Sequence, residues 1–216
     1  MVQKAAAIII FSSLFFALSL SQQNIKELEE RLRQKPNDIE TLIALGKLYH
    51  DQGASGDKEA VDKGFTYLDK TIELDPTNAV AWAYRGSLWT MRGRDAWFPF
   101  TKLKHVDKGI DELDKAAELG PDNIAVHLTR GINSLQLPSI FKRLGTALKD
   151  FSFLLADARF PHLEAHLQST IYYWAGVAYK RDSQTSKAKE YLEKAISAAP
   201  ESTTAQKAEK ELKEPS

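Results

Sequence analysis

The strongest constraint on the fold of this chain is a pair of rulers. Gly46, Gly86, Gly131 and Gly176 are separated by 40, 45 and 45 residues, and Pro36, Pro76, Pro121, Pro161 and Pro200 by 40, 45, 40 and 39. A period of this length marks a chain that stacks one supersecondary unit on the next, each covering the apolar face of its neighbour. The clearest unit spans residues 170–200. Tyr172, Ala175, Gly176 and Tyr179 share one face of a first helix, Ala188, Leu192 and Ala195 share one face of a second, and Pro200 ends it. The small Gly176 and Ala188 let two helix backbones approach, while the aromatic and Leu positions fill the seam.

These spacings resemble the tetratricopeptide repeat, whose pattern is Trp-x2-Leu-Gly-x2-Tyr, then Ala-x3-Phe, then Pro. A first copy reads Leu42, Leu45, Gly46 and Tyr49, then Gly64, Leu68, Thr71 and Pro76, with six additional residues within 51–62. A second reads Trp82, Gly86 and Trp89, then Gly109, Leu113, Ala116 and Pro121, with Arg85 where the pattern has Leu. The third keeps Gly131 but places His127, Arg130 and Ser134 where Trp, Leu and Tyr are expected. Its second helix, expected to start at Pro138, carries Ile140, Leu144, Ala147, Phe151 and Leu154 on one stripe, and Pro161 is expected to open a long helix through His162 to Lys180. The largest insertion covers residues 94–105. Beyond Pro99, the residues Phe100, Leu103, Val106, Ile110, Leu113 and Ala117 keep helical spacing, so the insertion lengthens a second helix backwards. HEAT and armadillo arrays have similar periods, but the Trp/Leu-Gly-Tyr signature decides for tetratricopeptide repeats.

The expected fold is therefore all-α: a right-handed α-solenoid of four helix-turn-helix, tetratricopeptide-like repeats over residues 36–200, with lengthened second helices. An amphipathic helix at 24–35, with Ile25, Leu28 and Leu32 inside, would close one end. A helix and tail at 201–216, with Ala205, Ala208 and Leu212 inside, would close the other. Trp82 and Leu192 are expected in the buried seam.

Residues 1–21 read differently from the rest. Lys4 precedes an apolar run over 5–20 and then Ser21-Gln22-Gln23, which is the layout of a secretory signal with small Ser19 and Ser21 before the cleavage point. Export to the periplasm is expected, with an uncleaved membrane anchor as the alternative. Lys plus Arg and Asp plus Glu are each 29, so no net field draws the chain to nucleic acid. The absence of cysteine removes disulfides, thiol catalysis, thiolate metal sites and a lipoprotein anchor.

Little in the chain reads as chemistry. His162 and His166 are four apart, a spacing that can hold zinc on one helix face, and they suggest a metal-responsive binder as an alternative function. No third ligand completes the set, and solvated histidines explain the pair more simply. Residues 51–62 place Gly56 where a calcium loop turns but have Gly53 in place of the second acidic ligand, so a loop capped by Asp57 is the better reading. Ser139 and Lys142 match Ser-x-x-Lys without the other motifs of penicillin-recognising enzymes. A hydrolase is thus a remote alternative; no catalytic residue and no cofactor are expected.

The family resemblance implies a protein or peptide partner lying in the concave groove made by the first helices. Carried onto this sequence, that groove comprises Ile43, Lys47 and His50, then Ala83, Ser87 and Thr90, then Leu128, Ile132 and Leu135, then Tyr173, Val177 and Lys180. The family's two-Lys, two-Asn carboxylate clamp is not matched, since Ile43 and Lys47 replace its first Lys and Asn. Outside the groove, Trp97 and Phe98 stand before Pro99 and beside Lys102 and Lys104. That grouping could meet a partner or a membrane surface, whereas Phe100 is expected to pack with the helical stripe.

Overall fold

The computed structural model describes residues 23–214; the leader lies outside them. Among the described residues every regular element is helical. The ten α-helices are α1 (23–34), α2 (Ile39–Ala54), α3 (Lys58–Leu74), α4 (Ala79–Asp95), α5 (Pro99–Leu119), α6 (Ile124–Gln136), α7 (Leu144–Ala156), α8 (Ala165–Arg181), α9 (Thr185–Ala198) and α10 (Thr203–Lys213). Short 3-10 turns occupy Ser139–Phe141 and Phe160–His162. The chain divides into two compact units, with the boundary between Glu112 and Leu113 inside α5.

The proline ruler works through the cap that follows it. Two residues beyond Pro76, Pro121 and Pro200 stand Asn78, Asn123 and Ser202, whose side chains accept backbone N–H groups of the first turns of α4, α6 and α10. The proline ends one helix and the cap starts the next, so the turn is specified twice.

In the first unit α2 packs on α3, α3 on α4, and α2 directly on α4. The fully buried Leu42, Leu45, Leu68 and Leu88 form its core. Glycine is required where α4 meets α5: a Cβ on Gly109 would lie 2.7 Å from the Gly86 carbonyl oxygen and 3.0 Å from the Thr90 nitrogen. Helix α1 is held by Ile25, which is buried, and by Glu29, whose Oε1 accepts from the Tyr49 and Tyr67 hydroxyls at 3.0 and 3.2 Å. The two tyrosine rings are stacked 5.6 Å apart. Burial, and then the Glu29 hydrogen bond, push the Tyr49 hydroxyl well above its ordinary pKa.

In the second unit α6 packs on α7, α7 on α8, and α8 on α9, while α10 lies against both α8 and α9. Phe151, Leu154, Ile171 and Leu192 are among its largest fully buried side chains. Gly176 admits Leu192: a Cβ there would stand 2.8 Å from Leu192 Cγ.

Four expectations require correction. Trp82 is half-buried and packs against the core from its edge: its Nε1 donates to the Pro76 carbonyl at 2.9 Å and the Arg85 guanidinium lies 4.3 Å from its ring centre. Helix α7 begins at Leu144, not Pro138. The 3-10 turn ends at Lys142, which is left-handed at φ 53°, and this leaves Ile140 exposed and off the stripe. Pro161 does not open α8. It sits in a 3-10 turn that buries Phe160 edge-on against Tyr172, Leu163 and Glu164 are then extended, and the Gln168 amide donates to the Leu163 carbonyl at 2.7 Å. Phe100 does not pack on the stripe; it is among the most exposed side chains described.

Candidate functional site

The first helices α2 and α4 lie side by side, and the spacing of three and four along each brings their groove residues onto one face. Ala83 and Ser87 form its floor, and Ile43, Lys47, His50 and Thr90 are half-buried above it. His50 is fixed at both nitrogens, with Nε2 2.8 Å from Ser87 Oγ and Nδ1 3.0 Å from Asp51 Oδ1. Its ring meets Tyr84 edge-on at 4.9 Å, and Lys47 Nζ lies 5.5 Å from the centre of the same ring. Tyr84 thus belongs to this face although the repeat pattern gives no signal for it; the cue was the aromatic one residue past Ala83. Lys47 also borders a cleft of about 570 Å³ between α1 and α2, together with Arg31, Glu27 and Asp51.

In the second unit the corresponding residues are closed in. Leu135, Tyr173 and Val177 are buried members of the core, and Leu128 and Ile132 are half-buried against it. Lys180 Nζ donates to the Glu211 carbonyl at 2.9 Å and to its carboxylate at 3.0 Å, so α10 engages the polar end of this face. Burial raises the Tyr173 hydroxyl above its ordinary pKa, and the Glu211 charge adds to it.

Behind these faces, each unit carries a charge cluster at the positions where the repeat departs from its pattern. Arg85 donates to Glu112 from Nε at 2.8 Å and from Nη2 at 2.9 Å, and its Nη1 reaches Asp69 at 2.8 Å. In the second unit Arg130 grips Asp150 from Nε at 2.9 Å and Nη2 at 2.6 Å, and also reaches Asp114, which Arg143 holds with two bonds at 2.9 and 2.6 Å. His127 Nδ1 is 2.7 Å from Asp150 Oδ1 and Nε2 is 2.7 Å from the Pro121 carbonyl. Both ring nitrogens face oxygen acceptors, an arrangement that favours the protonated ring. Burial opposes that charge, but the Asp150 hydrogen bond and then the Pro121 carbonyl overcome it and raise the His127 pKa. The charges within each cluster are thus paired with one another.

The α4–α5 corner is open. Trp97, Phe98, Phe100 and Leu103 are exposed, Lys102 and Lys104 stand on the next turn, and a cleft of about 310 Å³ runs from Trp97 and Phe98 to Val61 and His105. His162 and His166 are both exposed and sit on different elements, the 3-10 turn and the first turn of α8, so they do not share a helix face. Among the described residues no three His, Cys, Asp or Glu side chains converge as a metal site. Asp57 is a helix cap, accepting from the Ala60 N–H at 3.0 Å, and Ser139 and Lys142 belong to the 3-10 turn before α7.

Residues 169–202 match the family model described as tetratricopeptide repeat. TTC0263, a thermophilic tetratricopeptide-repeat protein of Thermus thermophilus, superposes with a TM-score of 0.71 at 16% identity, over 92% of this chain and 93% of that one. PilF of Pseudomonas aeruginosa gives 0.51 at 18% identity, over 78% of this chain and 69% of that one. MamA gives 0.50 at 22% identity, over 86% and 89%. No curated protein matches the chain in sequence. Residues 169–202 are thus a tetratricopeptide repeat by family match, and the chain has the fold of tetratricopeptide-repeat arrays, an all-helical stack of paired helices.

Proposed function

We propose that the protein is a non-catalytic scaffold or adaptor that holds a segment of a protein partner on the face of its first helices. The observation that carries this reading is the α2–α4 face, where Lys47, His50, Ser87 and Thr90 form a polar strip over a close-packed floor, with the α1–α2 cleft beside it. His50 is held by Asp51 and Ser87, so the strip is stiff before a partner arrives, which lowers the ordering cost of binding. Lys47 Nζ would take an acceptor from the partner, which favours a segment bearing carboxylate or amide groups. In the second unit Leu128 and Ile132, both half-buried, are the corresponding positions left for such a segment, since Lys180 is engaged by Glu211.

The layout of residues 1–21 supports placing the protein in the bacterial envelope, as a periplasmic chain starting at Gln22 after cleavage or as a chain anchored by that segment. Intact-mass measurement of exported protein separates these two forms. The binding reading is tested with a Lys47→Glu, Thr90→Glu variant used in affinity capture from an envelope extract. A partner recovered by the wild type and lost by a variant of equal melting temperature supports it; equal recovery by both overturns it.

A further inference from the structure

Among the described residues seven large apolar side chains are exposed, and four of them fall within residues 97–103: Trp97 at 88%, Phe98 at 68%, Phe100 at 81% and Leu103 at 44%. They sit at the α4–α5 corner, where Trp97 and Phe98 border the cleft toward Val61 and His105. Pro99 fixes the first residue of α5, and Trp97 and Phe98 project just before it. The charge around the corner is one-sided. Asp95 is held by Arg94 at 2.8 Å and Asp62 by Arg92 at 2.7 Å, so the nearest acids are neutralised, while Lys102 and Lys104 are exposed one turn along α5; Asp107 lies about one turn further on.

We propose that this corner docks on the surface of a phospholipid bilayer with anionic headgroups. Indole and phenyl rings lie favourably at the depth of the headgroups, and lysines beside them meet the phosphates. Three neighbouring exposed rings beside two lysines match the chemistry of that boundary, with apolar rings for the acyl edge and ammonium groups for the phosphates. No described helix is long and apolar enough to cross a membrane. The same chain carries the apolar run of residues 5–20, whose expected destination is a membrane or the space beside one. The proposal concerns a second surface and does not depend on what the α2–α4 face binds.

The test uses the full chain with vesicles of brominated phosphatidylglycerol, which quench tryptophan fluorescence on insertion. The leader contains no tryptophan, so its own binding cannot produce quenching, and the other three tryptophans, Trp82, Trp89 and Trp174, are half-buried in the fold. Wild-type fluorescence should be quenched and most of that quenching lost in Trp97→Phe, a change at a fully exposed position that leaves the fold intact. Replacing Lys102 and Lys104 by Ala should raise the lipid concentration for half-quenching about 25-fold, each lysine near an anionic surface contributing roughly fivefold. Equal quenching in wild type and Trp97→Phe, no quenching in wild type, or no effect of the lysine substitutions would each overturn the proposal. So would a protein partner whose capture is lost in Trp97→Phe while vesicles leave Trp97 unquenched.

Discussion

Arg85 and Glu112 form a two-point ion pair, Nε to Oε2 at 2.8 Å and Nη2 to Oε1 at 2.9 Å, at the place where a tetratricopeptide repeat ordinarily packs leucine. Arg130 and Asp150 repeat it in the second unit. Arg130 lies 45 residues beyond Arg85, and each acid lies three residues past the small residue of its second helix, Gly109 or Ala147. At the equivalent positions the first repeat has Leu45 and Tyr67, and the last has Ala175 and Tyr191. The two middle repeats have thus replaced an apolar seam contact by a charged one.

Glu112 is buried, so removing its partner leaves a carboxylate without compensation. Arg85→Leu should destabilise the protein by about 3 kcal/mol, whereas Arg85→Leu with Glu112→Tyr, which restores the pairing of the first repeat, should recover most of the loss. Urea unfolding of the two variants checks this. A double variant no more stable than the single one would show that the pair does more than replace packing.

His127 makes stability depend on pH. Its folded pKa is raised, so its contribution is fully present below the unfolded value of about 6.5 and is lost as pH rises through the folded value. The charged groups that face it are Asp150 and, across that carboxylate, Arg130, with the Pro121 carbonyl on the other nitrogen and the Phe153 ring 4.1 Å away. The gap in melting temperature between wild type and His127→Gln should therefore narrow as pH is raised from about 6 to about 9. A gap that stays constant over that range would contradict the imidazolium assignment.

Two glycines should respond in opposite directions to alanine. Gly109→Ala drives a methyl group into the α4 backbone and should cost about 2 kcal/mol or more, because backbone cannot move aside as a side-chain tip can. Gly145, near the start of α7, has no atom within 4 Å of its Cβ position, so Gly145→Ala should gain about 0.5 kcal/mol through helix propensity. Thermal melts of both variants decide it.

The parts of the fold that were legible in the sequence are those specified locally. Pro76, Pro121 and Pro200 as helix ends, and the small Gly176 and the seam Leu192 of the last repeat, read directly because each follows a short-range rule. What failed was decided at longer range. Pro161 looked like another repeat boundary, but burial of Phe160 against Tyr172 holds it in a separate turn. His127 and Arg130 read as a decayed repeat because their justification, Asp150, lies 20 or more residues downstream on another helix. Phe100 fitted the helical stripe by spacing, yet it stands 81% exposed in the first turn of α5. The groove positions were likewise assigned by register alone, which could not foresee that Leu135, Tyr173 and Val177 are taken into the core while Lys47 and His50 stay near the surface.

The central claim, that a partner lies along the first helices, is tested most directly by site-specific photocrosslinking in the native cell. A photoreactive phenylalanine analogue is placed singly at Lys47 and Thr90 on the α2–α4 face, and at the exposed Lys63 and Glu73 on α3. Adducts to one and the same protein from positions 47 and 90, and none from 63 and 73, are the predicted result. Adducts from the α3 positions with none from 47 and 90 would contradict it.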